Sequence, residues 1–318
     1  MKEAYINKDL NVEIRDVPMP TAGPGELLIR TVVSGTNHKD WKMPKLVGGD
    51  PANHGDDIAG YIEAVGEGVT GFRLEYLVVA AKVIFYLPDT TSFKEGATIP
   101  LTGITAALGN PVTAPTPLVV NGAATAVGAF AIKFATLSNI HPIIAIAGKG
   151  IPFVESLLNK GKGDIVIDYR RGAAYVNEKL CRAAEGHVIS YAYDTISDKA
   201  SLEILSKVVS AENGKIMSVV PKEDEVIDGI TVLGSNAGLI HAPAKEGGAK
   251  VGDAEFGVTV YNLISLGLAD GWFSGHPYEV AKGGLDGLEG VLKDLEAGKA
   301  SAKKYVLRLA ETPGVFGK

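Results

Sequence analysis

The sequence predicts an α/β protein in which a doubly wound parallel sheet follows an antiparallel β unit. Short apolar runs separated by Pro and Gly fill residues 1–100, whereas beyond about residue 103 apolar runs alternate with helical stretches. Such alternation of strand and helix is typical of a parallel sheet with helices on both faces. A turn of small residues at 121–128, between an apolar strand and an apolar helix, is the third observation and supports the same fold class.

Bulk composition limits the function classes. The 318 residues are enough for two domains with cores of their own. A net charge of −6 argues against a large nucleic-acid surface. The one cysteine, Cys181, excludes an internal disulfide and a cysteine-rich zinc site, so we expect a reducing, cytoplasmic setting. No apolar run reaches the about 20 residues that span a bilayer, and we expect neither a membrane segment nor a signal peptide.

The first hundred residues predict an antiparallel unit that forms a partly closed barrel. Its strands are predicted at Glu13–Arg15, Glu26–Val33, Ile58–Val65 and Tyr76–Ala80. Prolines and glycines between these runs mark the turns. Two junctions, at Leu74-Glu75 and near Asn110, are shorter than this pattern leads one to expect.

From about residue 103 onwards the pattern predicts the second domain. After a helical start at Ile104–Leu108, strands are predicted at 118–121, 142–147, 164–167, 191–194, 215–220 and 230–233. Helices are predicted between them near 127–138, 151–159, 172–184 and 200–209. Beyond residue 250 we expect helices at Phe256–Leu268 and Leu285–Ala297, and a final strand, Lys304–Leu309, that returns to the first domain.

The stretch Leu118–Gly128 predicts a binding site for the diphosphate of a dinucleotide. Small side chains let backbone N–H groups approach the phosphates, and the helix N-terminus adds a partial positive charge. Gly122 suits a tight turn and Gly128 suits close packing of helix on strand, whereas Thr125 and Ala126 replace the usual middle glycine. The alternative is a turn that only packs a helix on a strand. A second buried strand at the expected distance favours the dinucleotide site.

The end of the second strand indicates which dinucleotide is bound. A carboxylate there binds the ribose 2′-OH of NAD, whereas a basic residue accommodates the 2′-phosphate of NADP. This strand is followed by Gly148-Lys149, which offers an ammonium and no carboxylate. Tyr169 and Arg170, after the third strand, add a ring for adenine and a second cation. The pattern favours NADPH over NADH, with a simply solvated Lys149 as the alternative.

The histidines do not form a pattern typical of a metal site. They are scattered along the chain at positions 38, 54, 141, 187, 241 and 276. A catalytic zinc requires three protein ligands around an open position. The best candidates are His38, His54 and Asp56, but such groups in a loop-rich segment are more often surface hydrogen-bonding groups. We therefore expect no metal, and without a Lewis acid an activated C=C bond or a quinone is a more suitable substrate than a simple ketone.

Asn37–Lys42 has the pattern N-x-x-D-W-K, and Gly55–Gly60 has the pattern G-x-D-x-A-G. Both segments resemble elements of the zinc-independent, quinone oxidoreductase-like medium-chain dehydrogenase/reductases. Ile99–Ala107 resembles the helix entry beside the nicotinamide. Asn121–Gly128 and the tail Gly298–Lys304 are most similar to the fungal branch of trans-acting enoyl reductases and ToxD-like oxidoreductases.

The resemblance implies two domains. A GroES-like antiparallel β-barrel domain would comprise residues 1–103 and 250–318, and a Rossmann domain over 104–249 would bind NADPH. It also implies a reaction without zinc, because Asp56 stands where zinc enzymes carry a metal-binding histidine and the cysteine ligand expected before Asn37 is absent. His38 replaces the proline common at its position.

Carried over by position, the resemblance also implies the site residues. The 2′-phosphate would meet Lys149 and Tyr169, and the diphosphate would meet the turn before the helix. The implied cofactor-binding residues are Asn37, His38, Asp40, Thr105, Ala124, Thr125, Ala126, Val127, Gly128, Gly148, Lys149, Tyr169, Val219, Val220, Ser235 and Ser301. The implied substrate residues are Gly234, Ser235, Asn236, Ala237 and Gly238. The candidate catalytic residues are Asn37, Lys39 and Asp40, with the Lys39 ammonium reaching an enolate oxygen.

Each of these assignments has a structural alternative. Asn37 and Asp40 are also typical of residues that cap a turn. Thr105 is also explained as a hydroxyl near a helix N-terminus, Ser235 as a loop residue bonded to its own backbone, and Tyr169 as packing at a strand end.

The expected function is reduction of an activated C=C bond by NADPH. Hydride passes to the β-carbon of an enone or enoyl thioester, an enolate develops, and water supplies the proton because no side chain is a compelling general acid. The alternatives are an NADPH-dependent quinone or aldehyde reductase, and an NADPH-binding protein without turnover. Expected partners are a small-molecule substrate or a carrier-bound acyl chain, with no nucleic acid and no membrane. We expect a monomer or a homodimer, with Thr231–Leu233 as a candidate edge strand for pairing.

Overall fold

The chain divides into two compact units. The computed structural model describes residues 1–69, 77–78, 84–108, 116–220, 225–237 and 254–315. Unit 1 comprises Met1–Leu101 and Gly238–Lys318, and unit 2 comprises Thr102–Ala237. The two abrupt junctions and the predicted substrate residue Gly238 lie outside the described residues.

The N-terminal part of unit 1 is rich in short strands, as the turn pattern predicts. In chain order these are β1 (Lys2–Ile6), β2 (Val12–Asp16), β3 (Leu27–Gly35), β4 (Asp57–Val65), β5 (Leu77–Val78) and β6 (Phe85–Tyr86). The helices of this part are α1 (His38–Val47) and α2 (Phe93–Gly96). The sequence pattern does not predict α1, because this helix buries only Asp40 and Pro44 and therefore lacks an apolar stripe. Helix α3 (Pro100–Leu108) follows, and its later residues belong to unit 2.

Unit 2 is built on a sheet with the predicted doubly wound order. Its strands are β7 (Leu118–Asn121), β8 (Ile143–Ala147), β9 (Ile165–Asp168), β10 (Tyr191–Asp194), β11 (Lys215–Ser218), β12 (Glu225–Ile227) and β13 (Ile230–Gly234). The connecting helices are α4 (Ala126–Leu137), α5 (Ile151–Leu157), α6 (Ala173–Ala184) and α7 (Lys199–Leu205). The spatial order β12-β13-β11-β10-β7-β8-β9 reverses at β7, and ligands bind at such a reversal.

Burial explains why the strands of this sheet are easy to predict. All five residues of β8 are buried, because helices cover both faces of a parallel sheet. One detail of the prediction is wrong: Thr231–Leu233 is not an edge. Strand β13 pairs with β11 on one side and with the short antiparallel β12 on the other.

The C-terminal part of unit 1 completes its main sheet. It contains α8 (Ala254–Asp270), β14 (Tyr278–Ala281), α9 (Leu288–Glu296) and β15 (Lys304–Arg308). Strand β15 pairs antiparallel with β3, which confirms that the final strand returns to the first domain. The resulting order is β14-β15-β3-β4-β5-β6. Helix α9 buries Leu288, Val291, Leu292 and Leu295, a spacing that places them on one face against β1 and β15.

Helix α8 shows that unit 1 also leaves apolar side chains exposed. Val260, Ile264 and Leu268 are buried, whereas Phe256 and Leu266 on the same helix are exposed. In the part of the chain that the structure describes, no helix is both long and apolar enough to cross a bilayer.

Candidate active site

The turn between β7 and α4 has the shape that a phosphate site requires. Gly122 has a φ of 73°, and a Cβ there would overlap Thr195 Oγ1. A Cβ on Gly128 would lie 2.5 Å from the Gly122 carbonyl oxygen, so α4 packs directly on the turn. The roles predicted for the two glycines are therefore confirmed.

Two threonine hydroxyls hold this turn. Thr125 is the N-cap of α4: its Oγ1 accepts a hydrogen bond from the Gly128 N–H (3.0 Å) and donates one to Thr195 Oγ1 (3.0 Å). Thr195 Oγ1 lies 2.9 Å from the Asn121 carbonyl oxygen, to which it donates. The N–H groups of Ala126 and Val127 have no partner within the helix, as in the first turn of any α-helix. Both residues are half-buried, so the turn can present these donors to an anion.

The residues after β8 lie next to the Tyr169 ring and include the exposed Lys149. A Cβ on Gly148 would lie 2.6 Å from Tyr169 Cε1, so the tyrosine ring lies against the glycine backbone. Lys149 is exposed next to it. Arg170 is bound instead to Asp168, with Nε 2.8 Å from Oδ1 and Nη2 2.6 Å from Oδ2. The positive charge of Arg170 is therefore neutralised locally, and Lys149 is the better candidate of the two for a phosphate.

The register of the sheet places most of the predicted unit 2 residues along one edge. Asn121 pairs with Asp194, Asp194 with Ser218, and Ser218 with Gly234. The residues that follow these strands therefore lie side by side at the carboxyl edge of the sheet, where ligands of doubly wound folds bind. They include the turn at residues 122–125 after β7, Val219 and Val220 after β11, and Ser235 after β13.

Ser235 carries an oxygen without a partner. Its backbone N–H donates to the Ser218 carbonyl oxygen (2.9 Å), but its Oγ is buried and receives no hydrogen bond from the described residues. The alternative of a hydroxyl bonded to its own backbone is therefore wrong. The neighbouring substrate candidates are Gly234, which ends β13, the exposed Asn236 and the half-buried Ala237.

Thr105 is hydrogen-bonded to a residue of the unit 2 sheet. It lies inside α3 rather than at the start of the helix, and it is buried. The Tyr193 hydroxyl donates to the Thr105 carbonyl oxygen (2.6 Å), so a residue of β10 fixes this turn of α3. Tyr193 is not a residue that the sequence motifs indicate, because it lies within an otherwise ordinary buried strand.

The candidate catalytic residues of unit 1 lie at the start of α1. Asn37 is the N-cap, with an extended backbone, and its N–H donates to Asp40 Oδ2 (2.7 Å). The capping role given as the alternative is therefore present, but it uses only one carboxylate oxygen. Asp40 Oδ1 is buried, lies 3.4 Å from Lys39 Nζ, and takes part in no hydrogen bond with the described residues. Burial raises the pKa of Asp40 to about 6, and the nearby Lys39 ammonium and Asn37 N–H offset only part of that effect.

The Asn37 side chain contacts Asp57, which in turn binds Lys304, and the site prediction omits both charged residues. Its Nδ2 donates to Asp57 Oδ2 (3.0 Å), and Lys304 Nζ binds the same oxygen. The three residues are buried. Asn37 Oδ1 faces the Asp40 N–H as in a capping box, but that N–H donates to the Asn37 carbonyl oxygen (3.0 Å). Oδ1 is thereby left without a hydrogen bond from the described residues.

Asp57 lies in the motif Gly55–Gly60 and Lys304 in the motif Gly298–Lys304. Neither motif indicates that these two residues form an ion pair. The one available signal is a lysine placed at the start of an apolar strand, Lys304–Leu309.

Lys39 is held by oxygen atoms on two sides. Its Nζ lies 2.5 Å from the His54 carbonyl oxygen and 2.5 Å from Asp56 Oδ2. Asp56 stands where zinc enzymes of the resembling family carry a histidine, and here its carboxylate is paired with an ammonium. In the described ranges no three His, Cys, Asp or Glu side chains are arranged to hold a metal ion.

The two remaining predicted residues, His38 and Ser301, are exposed. His38 is exposed, and its Nδ1 accepts a long hydrogen bond from Trp41 Nε1 (3.4 Å). Ser301 is exposed and lies just before β15.

Comparison with known proteins identifies the family. Residues 23–124 match the alcohol dehydrogenase GroES-like domain. The trans-enoyl reductase fsr4 of Gibberella fujikuroi is 35% identical over 317 residues, which cover 89% of this chain and 91% of that protein. The chain belongs to the trans-enoyl reductase family of medium-chain dehydrogenase/reductases. The family and enzyme class predicted from the motifs are confirmed, and the chain is an oxidoreductase of this family.

Comparison with solved structures confirms the fold of this chain. The CurK enoyl reductase has a TM-score of 0.76 at 15% identity, covering 96% of this chain and 98% of that chain. Mycobacterial Rv1454c complexed with NADPH has a TM-score of 0.75 at 17% identity, covering 97% of this chain and 99% of that chain. The predicted combination of a Rossmann sheet with a GroES-like domain is therefore confirmed.

Proposed function

We propose that this chain is an NADPH-dependent reductase that transfers hydride to a C=C bond conjugated to a carbonyl, without a metal ion. The observation that carries the proposal is a set of buried oxygen atoms without hydrogen-bond partners. Asn37 Oδ1, Asp40 Oδ1 and Ser235 Oγ are such atoms within the described residues. An unsatisfied buried polar atom costs about 1–3 kcal/mol, so bound groups that supply donors would explain the two oxygens of unit 1 and the one of unit 2.

The carboxyl edge of the unit 2 sheet supports a dinucleotide as that ligand. The N–H groups of Ala126 and Val127 and the start of α4 would bind the diphosphate. Tyr169 would contact the adenine, and the Lys149 ammonium would bind a 2′-phosphate, which favours NADPH over NADH. When bound, the cofactor supplies the hydride. A solved structure of similar fold is a complex with NADPH.

The residues at the start of α1 would organise the reacting groups. Asn37 Oδ1 would accept a hydrogen bond from the cofactor. Lys39 would contribute a fixed positive charge that favours negative charge developing on the substrate carbonyl oxygen. Its Nζ is already bonded to His54 and Asp56, so this role is electrostatic and the proton for the α-carbon comes from water.

An enoyl thioester is the substrate class that the relatives favour. One relative at 35% identity is named a trans-enoyl reductase, and one solved structure of similar fold is named an enoyl reductase. A thioester carbonyl delocalises the charge produced by hydride addition, so the reaction needs no Lewis acid. We extend the proposal to an acyl chain carried on a partner protein.

Initial rates with NADPH against an enoyl thioester, an enone, a quinone and an aldehyde test this proposal. We expect the enoyl thioester or the enone to be reduced fastest, at a rate that a metal chelator does not change. Preference for the quinone or the aldehyde would contradict the C=C assignment. NADPH binding without turnover of any compound would contradict the reaction altogether.

A further inference from the structure

The buried ion pair between Asp57 and Lys304 has no part in the function proposed so far. The side chain of Asp57 is fully buried and that of Lys304 is 4% exposed. Removing two charges from water is costly, and apolar replacements of such pairs are often as stable. Stability alone is therefore a weak reason for the pair.

The hydrogen bonds around Asp57 determine how the Asn37 side-chain amide is oriented. Oδ1 accepts from the Leu101 N–H (2.8 Å), and Oδ2 accepts from Asn37 Nδ2 (3.0 Å) and from Lys304 Nζ. Lys304 Nζ also lies 3.3 Å from the Thr98 carbonyl oxygen, to which it donates. Because an ionised carboxylate only accepts hydrogen bonds, Asn37 must turn its NH₂ group towards Asp57. Its carbonyl oxygen must then point the other way.

Helix capping accounts for only part of this arrangement of Asn37, because its carboxamide oxygen faces the Asp40 N–H as in a capping box but receives no hydrogen bond from the described residues. The Asn37 N–H is satisfied by Asp40 Oδ2, and the Asp40 N–H is satisfied by the Asn37 backbone carbonyl. The Asn37 carboxamide oxygen takes part in neither bond, and it is buried without a hydrogen bond from the described residues. The start of α1 therefore has two hydrogen bonds that do not use this oxygen.

We propose that the Asp57–Lys304 pair positions the Asn37 carboxamide so that its oxygen is a fixed acceptor for an N–H or O–H group of the bound cofactor. This inference rests on the function proposed above. Lys304 Nζ and the Leu101 N–H both donate to the Asp57 carboxylate. A carboxylate held by these donors accepts hydrogen bonds, so it disfavours the flipped amide, in which the Asn37 oxygen would face it. Asp57 and Lys304 are thus positioning residues, and Asn37 is the residue that contacts the cofactor.

A double-mutant cycle on NADPH binding tests the inference. The combined substitution Asp57→Asn with Lys304→Met removes both charges together, and Asn at 57 can donate or accept, so the amide orientation is no longer fixed. We expect this change to weaken NADPH binding about tenfold when Asn37 is present. In an Asn37→Ala background we expect the same change to weaken binding less than about twofold, because no amide remains to be positioned.

Two further variants keep the test decisive. Lys304→Arg retains the charge and is expected to bind NADPH within about twofold of the wild type. Asp57→Asn alone accepts from the Leu101 N–H and turns its NH₂ group towards Asn37, so it is expected to weaken binding about tenfold and provides a result if the combined variant does not fold. Lys303→Met is the matched control. Lys303 pairs with Glu279 and its side chain is 30% exposed, so its loss should not change NADPH binding.

The outcomes separate the two proposals. Strong coupling between Asn37 and the Asp57–Lys304 pair supports the positioning role. Equal losses with and without Asn37, or no loss at all, overturn it while the proposed function stands. A wild-type chain that does not bind NADPH overturns both.

Discussion

The Thr125 hydroxyl donates to the Thr195 hydroxyl at 3.0 Å, which ties the N-cap of α4 to the residue after β10. Thr195 Oγ1 also lies within hydrogen-bond distance of the carbonyl oxygens of Asn121 and Gly122, at 2.9 and 3.1 Å. The Thr195 side chain thus contacts Asn121, Gly122 and Thr125 in the turn between β7 and α4. The geometry of that turn therefore depends on a residue about 70 positions away, as well as on its own glycines.

Replacing Thr195 by Val should loosen this turn without changing the volume of the side chain. We expect a loss of about 1 kcal/mol in the free energy of unfolding, because half-buried hydrogen-bonding groups lose their partner. NADPH binding should weaken about tenfold. Denaturant unfolding and cofactor titration measure the two effects. Ser206→Ala is a suitable control, since that hydroxyl makes only a long, exposed bond to the Glu203 carbonyl oxygen (3.4 Å).

Gly128→Ala should damage the same turn by overpacking. Its Cβ would lie 2.5 Å from the Gly122 carbonyl oxygen, and backbone atoms cannot yield as a flexible side chain can. We expect destabilisation of about 1–3 kcal/mol and loss of measurable NADPH binding. Gly290→Ala provides the comparison, because that position lies inside α9 with nothing within 4 Å of a new Cβ. There alanine should stabilise the protein by about 0.5–1 kcal/mol. Equal behaviour of the two variants would contradict the packing argument.

The fold of unit 2 is largely predictable from the sequence, whereas the Asn37 environment is not. Strands such as β8 are buried on both faces and stand out as apolar runs, and Gly122 and Gly128 occupy positions that local geometry demands. The contact between Asp57 and Lys304 joins residues 247 positions apart, and no local periodicity encodes it. Helix α1 escapes prediction for a related reason, since it buries polar rather than apolar side chains.

Lys149 should determine the choice between the two nicotinamide cofactors. Lys149→Ala removes the ammonium assigned to the 2′-phosphate, so the KM for NADPH should rise about tenfold or more, while that for NADH changes little. Steady-state rates with both cofactors provide the measurement. Lys160→Ala removes another exposed lysine of unit 2, one paired with Glu155, and should affect neither constant. Parallel losses for NADPH and NADH in the Lys149 variant would place the 2′-phosphate elsewhere.

Asp40 should make the stability of the protein fall as the pH rises from about 4 to about 6. Burial raises the folded-state pKa of Asp40 to about 6, above the unfolded value of about 3.9. Within this window the folded state binds more protons than the unfolded state, so ionisation costs the folded state up to about 3 kcal/mol.

Asp40→Asn should remove this cost. Relative to the wild type, the variant should therefore gain stability as the pH rises through that window, and urea unfolding at several pH values measures the difference. Asp9→Asn, in an exposed turn, should give a curve parallel to that of the wild type. A parallel curve for Asp40→Asn would show that this carboxylate does not titrate near pH 6.

Hydride transfer from reduced nicotinamide to the β-carbon of a conjugated C=C bond, without a metal ion, leaves an isotopic label in the product. The most direct measurement is mass spectrometry of the product formed from an enoyl thioester and NADPH deuterated at the transferred position, in the presence of a chelator. We expect a saturated thioester with one deuterium at the β-carbon. A product without deuterium, or a reaction that stops until a metal ion is added back, would contradict it.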